Sequence, residues 1–122
     1  MKNIYIAGPM TGIEDYNYDE FINAARDIRK LRLHPVHTAN TPRNKPYSWY
    51  MEIALSLLGH SDAIYLLPGW QESEGVTKYE LPEAIRAKIP ILLNHDDLTE
   101  FANQAEREYI TLGKPVPVRR ED

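Results

Sequence analysis

Short apolar runs alternate with amphipathic segments along most of this chain. Two runs, at residues 4–7 and 63–67, are brief and nearly uniformly apolar, which favours strands buried on both faces. Weaker strand patterns occupy residues 33–37 and 89–93. Pro35 cannot donate a hydrogen bond to a neighbouring strand, so the strand at 33–37 is expected at a sheet edge.

Apolar residues recur at helical spacing between these runs. Gly59 stands where a helix C-cap is expected, and Pro82 is tolerable only near the start of its helix, which places Glu80 at a helix N-terminus. Residues 38–46 are rich in Pro, Asn and Thr, which is typical of a loop. Helices are expected at residues 19–31, 47–58, 77–88 and 98–112.

This order of elements predicts an α/β fold. Right-handed βαβ crossovers give a parallel sheet of four to five strands with helices on both faces, a three-layer Rossmann-like or flavodoxin-like domain at residues 1–112, followed by a Pro-containing tail at 113–122. Ligands bind beyond the carboxyl ends of such strands, so the loops after Ala7 and Leu67 are the first candidates. The strand residues expected to be buried are Ile4, Ile6, Ile64, Leu66, Ile91 and Leu93.

Composition excludes several classes of function. The 122 residues include 14 Lys and Arg against 18 Asp and Glu, and a net charge of -4 argues against a surface that binds duplex nucleic acid. The absence of Cys removes disulfides and thiolate zinc sites. The four His are scattered, so neither a metal site nor a cofactor is expected. No apolar run is long enough for a membrane span or a signal peptide, and we therefore expect a cytoplasmic protein that does not bind membranes.

The first candidate loop follows the strand at residues 4–7. Its glycines would let backbone N–H groups approach a phosphate or a sugar, although these residues by themselves favour an ordinary strand-to-helix turn. The spacing fits neither a dinucleotide-binding loop nor a Walker loop. The expected substrate-binding residues here are Gly8, Pro9, Met10, Thr11 and Gly12.

The second candidate loop leads from Trp70 through Ser73 and Glu74 to Glu80. Attack on an anomeric carbon needs one carboxylate as the nucleophile and often a second acidic group to protonate the leaving group. Composition alone favours the alternative that the acids of this segment only complement a helix dipole. Trp70 could stack on a base or sugar, or pack against the core.

Three segments together resemble the nucleoside 2-deoxyribosyltransferase superfamily. They are IYIAGPMTG at residues 4–12, YNYDEFINAA at 16–25 and SDAIYLLPGWQESEGVTKYELPEA at 61–84. They are most similar to its short, often phage-encoded deoxyribosyltransferase-like members of unannotated function. The resemblance implies that Glu80 is a catalytic nucleophile, that Tyr5 hydrogen-bonds it, and that Asp62 and Glu74 contact the substrate.

Two departures from the pattern of that superfamily occur. Ala54 stands where an Asp is usual, and the segment from Ser73 to Glu80 is one residue longer than in many relatives. The resemblance implies cleavage or base exchange at the N-glycosidic bond of a small nucleoside or nucleotide. The alternatives are a catalytically impaired nucleotide-binding or sensing module and a purely structural protein. Relatives complete their pockets with a second subunit, so a homo-oligomer is expected.

Overall fold

The computed structural model describes residues 1–115 and contains one sheet of four parallel strands. The strands are β1 (Asn3–Ala7), β2 (His34–Val36), β3 (Ala63–Leu66) and β4 (Ile91–Leu92), in the order β2-β1-β3-β4. The α/β prediction is confirmed, and Pro35 lies in an edge strand as expected. The tail predicted at residues 113–122 lies mostly outside the described residues.

Four helices connect and cover the strands: α1 (Tyr18–Lys30), α2 (Tyr47–Gly59), α3 (Leu81–Arg86) and α4 (His95–Thr111). The first residues of α4 were not expected to be helical. They are helical because Asn94 caps the helix, its Oδ1 accepting a hydrogen bond from the backbone N–H of Asp97 at 2.8 Å. The Gly59 prediction is wrong in detail, since Gly59 is the last residue of α2 and does not adopt the left-handed conformation.

Two apolar clusters lie on opposite faces of the sheet. Because successive side chains of a strand point to opposite faces, Ile4 and Ile6 of β1 pack against α1 and α4, whereas Tyr5 and Ala7 pack against α2 and α3. Tyr5 is 1% exposed. This alternation fixes the side of the sheet on which the Tyr5 hydroxyl can meet a partner.

The burial predicted for β4 is wrong, because the residue buried in the core is not one of the two that were predicted. Leu92 is buried, but Ile91 is 37% and Leu93 is 53% exposed. β4 is an edge strand of two residues, and its covered face is the one that carries Leu92 against the cluster of α1 and α4. The opposite face at this edge leaves Ile91 and Leu93 accessible to solvent.

No helix within residues 1–115 combines the length and the apolar character that a membrane crossing requires.

Candidate functional site

A cavity of about 640 Å³ opens beyond the carboxyl ends of the strands. Its walls come from the loops that follow β1, β2 and β3, as expected for an open parallel sheet. This volume lies within the range of small-molecule sites in proteins. The sequence prediction named the loops after β1 and β3, but it missed the loop after β2.

Glu80 lies in the wall of the cavity and is only 6% exposed. The hydroxyl of the buried Tyr5 donates a hydrogen bond to the Oε2 atom of Glu80. The expected approach of Tyr5 to Glu80 is therefore confirmed. A carboxyl group fixed by a buried phenol has a defined orientation toward whatever the cavity holds.

Burial sets the protonation of both groups. It raises the pKa of Glu80 from its ordinary value of 4.5 to about 7, against a smaller lowering by the Tyr5 hydrogen bond. Burial and the nearby Glu80 charge raise the pKa of Tyr5 well above its ordinary value, so the phenol remains a donor. With a pKa of about 7, Glu80 can gain or lose a proton near neutral pH, and perturbed pKa values of this kind are common at functional sites.

The segment that carries Glu80 is wound as a π-helix, Gly75–Glu80, which continues into α3. The expected start at residue 77 with an ordinary helical N-terminus is therefore wrong: helical winding begins at Gly75, and Pro82 lies in the first turn of α3. A π turn takes up more residues than an α turn. In this winding Glu80, seven residues after Ser73, reaches the Tyr5 hydroxyl.

Gly75 lets this segment approach α2 closely. A Cβ atom at Gly75 would lie 3.3 Å from the Tyr47 hydroxyl and 3.4 Å from the Met51 Cε, both in the cavity wall. Ser73 stabilises the first turn, because its Oγ accepts a hydrogen bond from the backbone N–H of Val76 at 3.3 Å. Ser73 thus lines the cavity but also performs a structural role.

Gly8 allows the closest approach between the first loop and β3. A Cβ atom at this position would lie 2.8 Å from the Cβ of Leu67, which no side chain could tolerate without a shift of the backbone. Pro9, Met10 and Thr11 follow Gly8 in the cavity wall, as predicted. Gly12 does not: it is exposed, with a φ of 81°, and terminates the turn outside the cavity.

Three more residues were predicted to contact a substrate, and they lie in different parts of the structure. Glu74 lies in the cavity wall, exposed and paired with Lys78 at 3.4 Å. Asp62 lies at the amino end of β3, where its carboxylate accepts a hydrogen bond from the backbone N–H of Asn3 at 2.7 Å. Trp70 packs against the apolar cluster of α2 and α3. Asp62 and Trp70 are therefore not part of the cavity wall, and contact of either residue with a substrate stays a prediction.

Several cavity residues were not predicted as site residues. Tyr47, Arg43 and Lys45 belong to the loop after β2 and the start of α2, and Glu72 accompanies Ser73 on the opposite side. The carboxyl ends of all strands in a parallel sheet meet at one edge, so the rule applied to the other two loops would also have found this one. Among residues 1–115, no group of three or more acidic or His side chains could hold a metal ion.

Loss of a charge on Glu80 is expected to change how stability depends on pH. The folded chain holds the Glu80 proton more tightly than the unfolded chain. The free energy of folding that this tighter proton binding contributes is fully present below about pH 4.5 and is lost as the pH rises through about 7. The full effect is on the order of 3 kcal/mol. In urea denaturation, Glu80→Gln should exceed the parent protein in stability at about pH 8, and the difference should diminish toward about pH 5. A difference that does not vary with pH would contradict the buried carboxyl.

One protein family matches most of the chain. The family described as "Domain of unknown function (DUF4406)" matches residues 2–93, which include every strand and the whole Tyr5 to Glu80 arrangement. No curated protein and no solved structure shows significant similarity to the chain. The chain belongs to the DUF4406 family.

Proposed function

We propose that this member of the DUF4406 family cleaves the N-glycosidic bond of a nucleoside or nucleotide, with Glu80 as the nucleophile. The observation that carries the proposal is the buried Tyr5–Glu80 pair in the wall of the cavity. Retaining glycosidases use a carboxylate nucleophile to attack an anomeric carbon. The resemblance to the nucleoside 2-deoxyribosyltransferase superfamily supports the same assignment of Tyr5 and Glu80.

The proposed first step breaks the bond between C1′ and the base nitrogen and forms a bond between C1′ and a Glu80 oxygen. The electron pair of the broken bond leaves with the base, which takes a proton from water that enters the open cavity. In the second step, water or another base attacks C1′ and loses a proton to the solvent, while the bond between C1′ and the Glu80 oxygen breaks and releases Glu80 as a carboxylate, which completes hydrolysis or base exchange. The two outcomes share the first step.

The surroundings of Glu80 suit this reaction. The Tyr5 phenol holds one carboxylate oxygen, while the cavity admits a ligand to the same side chain. A carboxylate in a partly dry site also stabilises the positive charge that develops on the sugar more strongly than one in water. A panel of nucleosides and their monophosphates, incubated with the protein and analysed by chromatography for free base, tests the proposal. If no member of the panel loses its base, the proposed activity fails.

Replacing Tyr5 by Phe should slow base release about ten- to a hundredfold, because one hydrogen bond to a charged group is lost. This hydrogen bond lowers the pKa of Glu80, so its removal should also move the acidic limb of the pH–rate profile to higher pH. The profile distinguishes the two roles of Tyr5. A uniform loss of rate with an unchanged profile would show that Tyr5 only supports the fold.

A nucleotide-binding or sensing module is the second candidate function. Ala54, where relatives carry an Asp, is 1% exposed and packs in the apolar cluster of α2 and α3. The parent chain therefore has no acidic side chain at position 54. Ligand binding without base release, and binding that survives Glu80→Gln, would favour this function.

Self-association stays a prediction from the sequence. Tyr47 of α2 is 49% exposed, and Ile110 of α4 is 64% exposed. These are the apolar side chains that the two helices would offer to a second copy.

A further inference from the structure

We propose that the cavity contains an anion subsite, formed by Arg43 and Lys45, that binds the phosphate of a nucleoside monophosphate. The nucleoside part of this ligand rests on the proposed function. The anion subsite rests on separate residues, on the loop after β2, which take no part in the chemistry at Glu80.

The loop after β2 holds both cationic side chains in the cavity wall. It is fixed at two points. The backbone N–H and the hydroxyl of Thr41 both donate to the Thr38 carbonyl, at 3.1 and 2.6 Å. The Tyr50 hydroxyl, from α2, donates to the Pro42 carbonyl directly before Arg43. Cationic groups on a fixed loop require little ordering when an anion binds.

Arg43 is further positioned by the segment before α1. Its Nη1 donates to Asp15 at 2.6 Å, and its guanidinium lies 4.9 Å from the centre of the Tyr16 ring. Asp15, Tyr16 and the following Asn17 have φ values of 52°, 52° and 63°, a left-handed conformation that is unfavourable for three consecutive residues other than Gly. Such strain persists where the surrounding structure enforces it, and it concentrates at ligand sites.

The contact with Asp15 leaves N–H donors of Arg43 available to bind an anion. A guanidinium has several N–H donors, and the contact with Asp15 engages Nη1. Lys45, the other cationic residue of this loop, has less of its charge neutralised. The Lys45 ammonium lies 5.8 Å from the Trp49 ring, and no ion pair joins it to a carboxylate within residues 1–115. The subsite therefore offers two cations against one nearby carboxylate.

The cationic and the acidic residues of the cavity wall lie on opposite sides of the carboxyl end of β1. Arg43 and Lys45 follow β2, while Glu72, Glu74 and Glu80 follow β3, and β1 lies between these two strands. A phosphate monoester carries about -1.5 to -2 charges at neutral pH, so it is repelled by the carboxylates and attracted to the cations. A nucleoside monophosphate placed across the end of β1 has its phosphate at the loop after β2 and its sugar toward Glu80.

Binding measurements on matched ligand pairs test the subsite. Isothermal titration of the Glu80→Gln protein, which does not consume its ligand, compares four 2′-deoxynucleosides with their 5′-monophosphates, and inorganic phosphate serves as a competitor. We expect at least one monophosphate to bind about tenfold more tightly than its nucleoside. Phosphate should compete, and added salt should weaken monophosphate binding alone.

Variants of Lys45 assign this difference to the proposed residues. Lys45→Gln should weaken monophosphate binding about tenfold and leave nucleoside binding unchanged. Lys45→Arg should restore it. Lys30→Gln is the matched control, because Lys30 is an exposed lysine at the end of α1 and lies outside the cavity wall.

The outcomes separate this proposal from the proposed function. If no monophosphate binds more tightly than its nucleoside, or if Lys30→Gln weakens binding as much as Lys45→Gln, the subsite is overturned. Tight monophosphate binding without base release by the parent protein supports the subsite and defeats the proposed activity. Equal base release from nucleosides and monophosphates supports the activity and defeats the subsite.

Discussion

Glu80→Gln is expected to lower the rate of base release at least about 10³-fold while ligand binding persists. The amide keeps the shape of the carboxyl group and can still accept the Tyr5 hydrogen bond, but it is a poor nucleophile and carries no negative charge for the developing oxocarbenium ion. Single-turnover kinetics with the best substrate of the panel measure this loss separately from binding.

Glu52→Gln provides the matched control for this loss of charge. Glu52 is exposed on α2 and lies outside the cavity wall, so the same substitution there should leave base release unchanged. If Glu80→Gln retains the activity of the parent, Glu80 is not the nucleophile. If both variants lose activity equally, the effect comes from overall charge.

Ala54→Asp is expected to cost roughly 3 kcal/mol of the free energy of unfolding. The substitution introduces the acid that the resemblance implies at this position, but it places a carboxyl group in an apolar cluster where Ala54 is 1% exposed. The cost should increase with pH, because burial opposes ionisation. Urea denaturation at about pH 5 and about pH 8 measures both effects.

Ser56→Asp serves as the control for helix propensity, since Ser56 is an exposed position on the same helix. It should cost well under 1 kcal/mol. If Ala54→Asp is as stable as this control and raises the rate of base release, then position 54 opens to the cavity and the missing acid explains a weakened enzyme. If it is destabilised as expected and base release does not increase, a carboxyl group at position 54 does not assist the reaction.

The strands and their order of appearance follow from hydrophobic patterning. In β1 the alternation of side chains is visible in the sequence, and it separates Ile4 and Ile6 from Tyr5 as the structure does. The pattern failed at β4, because an apolar run at a sheet edge does not show which of its faces a helix will cover. Tertiary packing decides this, and packing is not local in the sequence.

The candidate site could be predicted only in part, and not from hydrophobic patterning. Pairing of Tyr5 with Glu80 came from resemblance, since residues 75 positions apart give no local signal of contact. The π-helix that presents Glu80 has no hydrophobic period of its own, so an ordinary helix start was expected. Arg43 and Lys45 were missed because their loop has no regular pattern, and only the sheet order brings it beside β1.

Trapping of the sugar on Glu80 tests the central claim most directly. A 2′-fluoro-arabinosyl analogue of the best substrate slows both steps by destabilising the oxocarbenium ion, and a covalent intermediate can then accumulate. Intact-mass measurement followed by tryptic digestion should show the mass of the fluorinated sugar on the peptide of residues 79–86, with fragmentation that assigns it to Glu80 rather than to Glu83. Release of base with no sugar on this peptide, or with the sugar on another residue, would contradict the account.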